Sequence, residues 1–94
     1  MDKVVVVYTM KGCPYCDMIK TQLKENEIEF HERDIDEYQE EFDLFVEVTN
    51  SDYVPAFMIL EDVESEKPTP HLFTPDSHFE TIEEGVEIIK KFLL

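Results

Sequence analysis

"VVVVYTMKGCPYCDMIK", residues 4–20, passes from a β-branched apolar run through a glycine into two cysteines three positions apart. Val4 to Tyr8 is continuously apolar, the pattern of a strand covered on both faces and hence central in its sheet. Gly12 allows a sharp turn. Pro14 falls where the first helical residue belongs, a position at which its missing N–H leaves nothing unpaired. Cys16, Ile19 and Leu23 then recur at helical spacing with Met18 beside them, and Asn26 offers a stop. The stretch predicts a buried strand, a turn and a helix, with Cys13 at the helix N-terminus and Cys16 on its inward stripe.

The rest of the chain extends this unit. "IEFHERDI" (28–35) alternates imperfectly, with Ile28, Phe30, Glu32 and Asp34 on one face, and predicts a second strand in a βαβ unit. Residues 38–48 predict a helix with Phe42, Phe45 and Val46 inward and Glu40, Glu41, Asp43 and Glu47 outward. "VPAFMIL" (54–60) predicts a third strand with Pro55 at its start, where a lost N–H does least harm. A polar, acidic connection over 61–69 leads to a short fourth strand, "PHLFT" (70–74), which Pro68 and Pro70 assign to a sheet edge. The last helix is predicted over 79–93, with Phe79, Ile82, Val86, Ile89 and Leu93 inward. Gly85 inside it costs about 1 kcal/mol relative to alanine. The order is β-α-β-α-β-β-α, read as a single domain over residues 1–94.

Composition narrows the function. The 94 residues are 43% hydrophobic, so the chain is apolar enough to fold and is no disordered acidic tail. Its formal net charge of −15 argues against nucleic acid and anionic membrane surfaces as partners. The opening apolar run is too short for a signal h-region or a membrane span. Two cysteines are too few for a disulfide-rich secreted scaffold, so a cytoplasmic protein is expected. Residues 25–66 hold sixteen acids and one base, Arg33, whereas Lys3, Lys11, Lys20 and Lys24 precede them with only Asp2 and Asp17. A solvated acidic surface explains most of this. It also leaves the cysteine end as a basic island, suited to a thiolate or an anionic thiol.

The placement of the cysteines points to redox chemistry. At a helix N-terminus, unpaired N–H groups and the macrodipole favour negative charge, so a thiol at Cys13 is expected to be exposed and acidified, with Lys11 adding a cation. Cys16, facing inward within bridging distance, suits a resolving thiol. Zinc would need two more ligands, yet His71 and His78 are seven apart and no second CxxC exists, so no metal is expected. A structural disulfide closing so short a loop would gain little entropy.

"CPYC" (13–16) after a strand, with "YVP" (53–55) about forty residues later, resembles the dithiol glutaredoxins of the thioredoxin-fold superfamily. The resemblance spans nearly the whole chain and implies a thioredoxin-like fold, a central four-stranded mixed sheet flanked by helices. It further implies Cys13 as nucleophile, Cys16 as resolving thiol, Tyr15 shaping the groove, and Pro55 matching a cis-proline. Val54 would offer its backbone to glutathione, the expected reductant and co-substrate. Disulfide-containing proteins are the implied partners, ribonucleotide reductase among the candidates, for a protein acting as a monomer.

Three positions depart from the family pattern. Met10 stands where many members carry Lys or Arg, and Lys11 follows it one place later. Tyr53 replaces a usual Thr. The Gly-Gly-x-x-Asp that receives one end of glutathione is missing, and "TPDSHFE" (74–80) stands there instead, with Asp76 and Ser77 as expected helix caps and glutathione contacts. The 61–69 connection is also longer than is usual for the family. A thioredoxin-like donor re-reduced by a flavoprotein reductase therefore stays open. So does a protein holding a two-iron, two-sulfur cluster through Cys13 and glutathione, although Pro14 beside the nucleophile argues against it.

Overall fold

In the computed structural model, which describes residues 3–94, seven elements succeed one another. They are β1 (Val4–Thr9), α1 (Pro14–Glu25), β2 (His31–Asp34), α2 (Gln39–Thr49), β3 (Ala56–Glu61), β4 (Thr69–Phe73) and α3 (Ile82–Leu93). The sheet has the order β2-β1-β3-β4; β1 runs parallel to β2 and antiparallel to β3, and β4 is antiparallel to β3. The mixed sheet and the element order are those read from the sequence.

The valine run explains the layering. Val5 and Val7 point into a core with Ile19 and Leu23 of α1, Phe57 and Ile59 of β3, and Ile82, Val86 and Ile89 of α3. Val6 and Tyr8 point the other way, against Phe42 and Phe45 of α2 and Ala56 of β3. Each such side chain gains roughly 1.5–3 kcal/mol on full burial, so a strand apolar on both faces needs a helical layer on each. β4 forms an edge, and Pro70, opposite Leu60, helps to blunt further pairing there.

Three elements start two or more residues later than expected, each for a local reason. β2 starts at His31 rather than residue 28 because α1 closes in a Schellman turn. There Glu27 is left-handed at φ 57°, and the Ile28 N–H donates to the Leu23 carbonyl at 2.9 Å. Ile28 and Phe30 still pack, partly buried, on the core beneath α1 and α3. β3 starts at Ala56, since Pro55 has no N–H to give the ladder.

α3 starts at Ile82 rather than residue 79. Thr81 caps it in a capping box: Thr81 Oγ1 accepts the Glu84 N–H, and Glu84 Oε1 accepts the Thr81 N–H, both at 3.1 Å. Asp76 and Ser77 therefore do not begin the helix. Phe79, outside it, stacks on Phe57 with ring centroids 5.3 Å apart. A Cβ at Gly85 would stand 3.3 Å from the Phe79 ring, so the glycine that weakens the helix also makes room for that ring.

Candidate active site

The chain leaves β1 at Thr9, whose carbonyl accepts the Ile35 N–H at 2.9 Å, and turns through Gly12 at φ +77°. That backbone angle suits glycine and strains any residue with a Cβ. The turn delivers Cys13 as the N-cap of α1, with Pro14 at the first helical position. The Cys13 carbonyl accepts the Asp17 N–H at 3.2 Å, and Cys13 Sγ accepts the Cys16 N–H at 3.1 Å. One of the helix's otherwise unpaired donors is thus aimed at sulfur. Cys13 and Cys16 are joined as a disulfide, their Cα atoms 5.2 Å apart.

Cys16 is buried on the stripe with Ile19 and Leu23, as expected. Cys13 is less open than expected, 8% exposed against 1% for Cys16. A sulfur that caps its own helix turns toward the Cys16 N–H rather than straight into solvent. The asymmetry between the two thiols is one of degree.

The basic island around the cysteines is also corrected. Lys20 Nζ is drawn to Glu32 Oε2 at 2.7 Å and Asp17 Oδ1 at 3.6 Å. Its hydrogen bond to Glu32 raises the Lys20 pKa against the opposing effect of desolvation. The same bond holds the Glu32 carboxyl below its ordinary value despite partial burial, helped by Thr9 Oγ1, which donates to Glu32 at 2.9 Å. Lys3 donates to the Phe92 carbonyl and, with Lys24, lines a separate hollow beside Ile28 and His31. Lys11 is exposed and has no ion pair among the described residues. It is the cation left beside the disulfide.

A second polar network lies under the other face of β1. The buried Tyr8 hydroxyl donates to Glu41 Oε2 at 2.5 Å, and Arg33 pairs with Glu41 Oε1. Burial raises the Glu41 carboxyl, but its bonds to Arg33 and Tyr8 outweigh that and leave it below the ordinary carboxylate value. Burial first, then the Glu41 carboxylate, push the Tyr8 phenol far above its usual 10.0. A raised folded-state value means stability that is full below the unfolded phenol pKa and lost as pH rises through the folded one. We expect an alkaline absorbance titration with a late phenolate step coupled to unfolding, which Tyr8→Phe removes; a late step that survives the substitution would contradict this. The periodicity of β1 marks Tyr8 only as a core residue, so its ionic partners were not legible there.

Beside the cysteines runs a groove of about 460 Å³, lined by Tyr15 and Met18 of α1, Val54, Pro55, and Pro75, Phe79, Glu80, Thr81, Ile82 and Glu83 of the approach to α3. The Val54–Pro55 bond is cis. Among the described residues the Val54 N–H and C=O make no hydrogen bond, so both are free to meet an extended chain. Of the residues expected at the site, Tyr15, Val54 and Pro55 line the groove; Lys11, Asp76 and Ser77 do not. Asp76, left-handed at φ 70°, donates its N–H to the Phe79 carbonyl. His78, which the sequence brings up only as a metal ligand to be discounted, accepts the buried Thr74 N–H at Nδ1, 3.1 Å away, and ties down the loop that supplies Pro75 and Phe79.

The family model for glutaredoxin matches residues 5–63, from β1 to just past β3. No curated protein matches the sequence. Among solved structures, the oxidised thioredoxin from Plasmodium falciparum is 21% identical, with a TM-score of 0.59 over 97% of this chain and 81% of that one. A malarial protein is 17% identical, with a TM-score of 0.54 over the whole of both chains. A thioredoxin from Malassezia sympodialis is 15% identical, with a TM-score of 0.51 over 95% of this chain and 76% of that one. These likenesses establish a thioredoxin-like fold.

Proposed function

The chain belongs to the glutaredoxin family of thiol–disulfide oxidoreductases, and we propose that it reduces protein disulfides and glutathione mixed disulfides in the cytoplasm, with glutathione as its co-substrate. The observation that carries this reading is the Cys13–Cys16 pair at the start of α1, with an N–H aimed at Cys13 Sγ and a groove alongside.

On a protein disulfide, the Cys13 thiolate attacks one sulfur, and the other leaves as a thiolate that takes up a proton. Cys16 then loses its proton and attacks Cys13 Sγ, releasing the second substrate thiol and closing the Cys13–Cys16 disulfide. Two glutathione thiols reopen that disulfide and depart as one oxidised glutathione. On a glutathionylated protein, Cys13 takes over the glutathionyl group, and a second glutathione removes it without Cys16. Tyr15, Val54 and Pro55 shape the groove in which the partner sulfur arrives.

Glutathione use is expected to be weak. The groove offers no cation among its lining residues, and from the stretch in place of the Gly-Gly-x-x-Asp motif it takes Pro75, Phe79 and Glu80 but neither Asp76 nor Ser77. Losing one set of charge-assisted hydrogen bonds costs roughly 1.5–3 kcal/mol, about ten- to a hundredfold in affinity. The same observation favours a second reading, a thioredoxin-like donor re-reduced by a flavoprotein reductase. Rates of reduction of the oxidised protein by glutathione and by thioredoxin reductase with NADPH separate the two. Reduction by glutathione with a high KM is expected; reduction by the reductase alone would overturn the glutathione reading. Visible absorbance in the purified protein would point instead to a bound cluster.

A further inference from the structure

We propose that the groove beside Cys13 selects disulfides carried on cationic polypeptide segments, with Glu80 and Glu83 as the specificity-determining residues. The proposal rests on the reading of Cys13 as the attacking thiol and names the substrate class that thiol serves.

The lining residues carry the inference. Tyr15 and Met18 are 62% and 42% exposed and form an apolar platform on the α1 side of the groove. On the α3 side, Glu80 and Glu83 contribute two exposed carboxylates, and no Lys, Arg or His lines the cavity. Neither carboxylate has an ion pair among the described residues. Glu83 Oε2 instead accepts the Gln22 amide at 3.0 Å, which fixes it toward α1 without neutralising it. A neighbouring shallow hollow shares Met18 and Glu83 with the groove and adds Asp17 and Glu25, again with no basic residue in its wall. The negative character therefore continues along α1.

Lysine and arginine match such a surface with both halves of their side chains. Their aliphatic stems cover apolar surface while their charged heads reach carboxylates. The free Val54 N–H and C=O favour an extended polypeptide over a small cation as the occupant. An anionic thiol meets the opposite: it must approach past two uncompensated carboxylates within a chain of net charge −15.

The test uses the protein, reduced beforehand and freed of reductant so that its own dithiol supplies the electrons, and three synthetic peptides, each a mixed disulfide with 2-mercaptoethanol, whose cysteine is flanked by Lys, Gln or Glu. Rates are normalised to those on the uncharged bis(2-hydroxyethyl) disulfide, which corrects for any loss of reactive protein. At low salt the second-order rate constant for oxidation of the protein should fall from Lys to Gln to Glu, by about tenfold across the series, and the gradient should shrink as salt is added. The double variant Glu80→Gln, Glu83→Gln should flatten most of it. Equal rates on the three peptides would overturn the proposal. A gradient unchanged in the double variant would also overturn it, by assigning selectivity to the overall charge. No turnover of the uncharged disulfide would instead remove the premise that Cys13 attacks disulfides.

Discussion

Cys13→Ser is expected to reduce every thiol–disulfide exchange to background, whereas Cys16→Ser keeps turnover of glutathionylated peptides and loses reduction of protein disulfides. The difference follows from where the sulfurs sit. Cys13 caps α1 with a backbone donor on its sulfur, while Cys16 is 1% exposed among core residues and has no route to an incoming disulfide except through Cys13. A serine hydroxyl is too weak a nucleophile at neutral pH to replace a thiolate, so nothing starts the reaction in Cys13→Ser. In Cys16→Ser the first attack proceeds and an external thiol finishes it. Only the intramolecular resolution that a protein disulfide needs is lost. Burying an unbonded hydroxyl at position 16 costs about 1–3 kcal/mol, so a thermal melt should accompany the assay to separate unfolding from lost chemistry. Equal behaviour of the two variants on a glutathionylated peptide would show that the roles are wrongly divided.

What the sequence revealed and what it hid follow from how far each signal reaches along the chain. The buried β1, the α1 stripe and the Gly12–Pro14 junction are written in residues a few positions apart, and the structure keeps all three. The charged contacts are not local: Lys20 pairs with Glu32, and Tyr8 with Glu41, across the sheet's two faces. Counting lysines near the cysteines therefore suggests a basic island, whereas Lys20 is drawn to Glu32, Lys3 and Lys24 line a separate hollow, and Lys11 alone is left beside the disulfide. The α3 boundary was missed for another reason. Phe79 fits the helical period of Ile82, Val86 and Ile89, so periodicity drew it into the helix. Capping chemistry was also present in the residues: Thr81 followed three places later by Glu84 is a capping-box signature, and it decided the start. The groove itself is assembled from α1, the Val54–Pro55 segment and the approach to α3, and no one stretch announces it.

With Cys16 replaced by serine and the protein reduced, Cys13 should titrate well below a free cysteine, whose ordinary value is about 8.5. Two local interactions lower it. The helix N-terminus favours a negative charge by roughly 0.3–2 kcal/mol, and a hydrogen bond to a charged acceptor such as a thiolate contributes about 1.5–3 kcal/mol. Burial works against them, since an apolar setting raises a thiol, but the Cys16 N–H already points at the Cys13 sulfur. Reactivity rises less than ionisation does. Below the free value, each unit of acidification gives about tenfold more thiolate, while nucleophilicity falls about threefold, leaving a net gain of about threefold per unit. That gain levels off once the pKa reaches the assay pH, so alkylation at pH about 6 should be roughly eightfold faster than for an unstructured cysteine peptide. Lys11→Ala should lower that rate only slightly, because an exposed charge is screened by water and salt. A Cys13 alkylation profile that overlays the free peptide would mean that the Cys16 N–H and the start of α1 do not activate this sulfur.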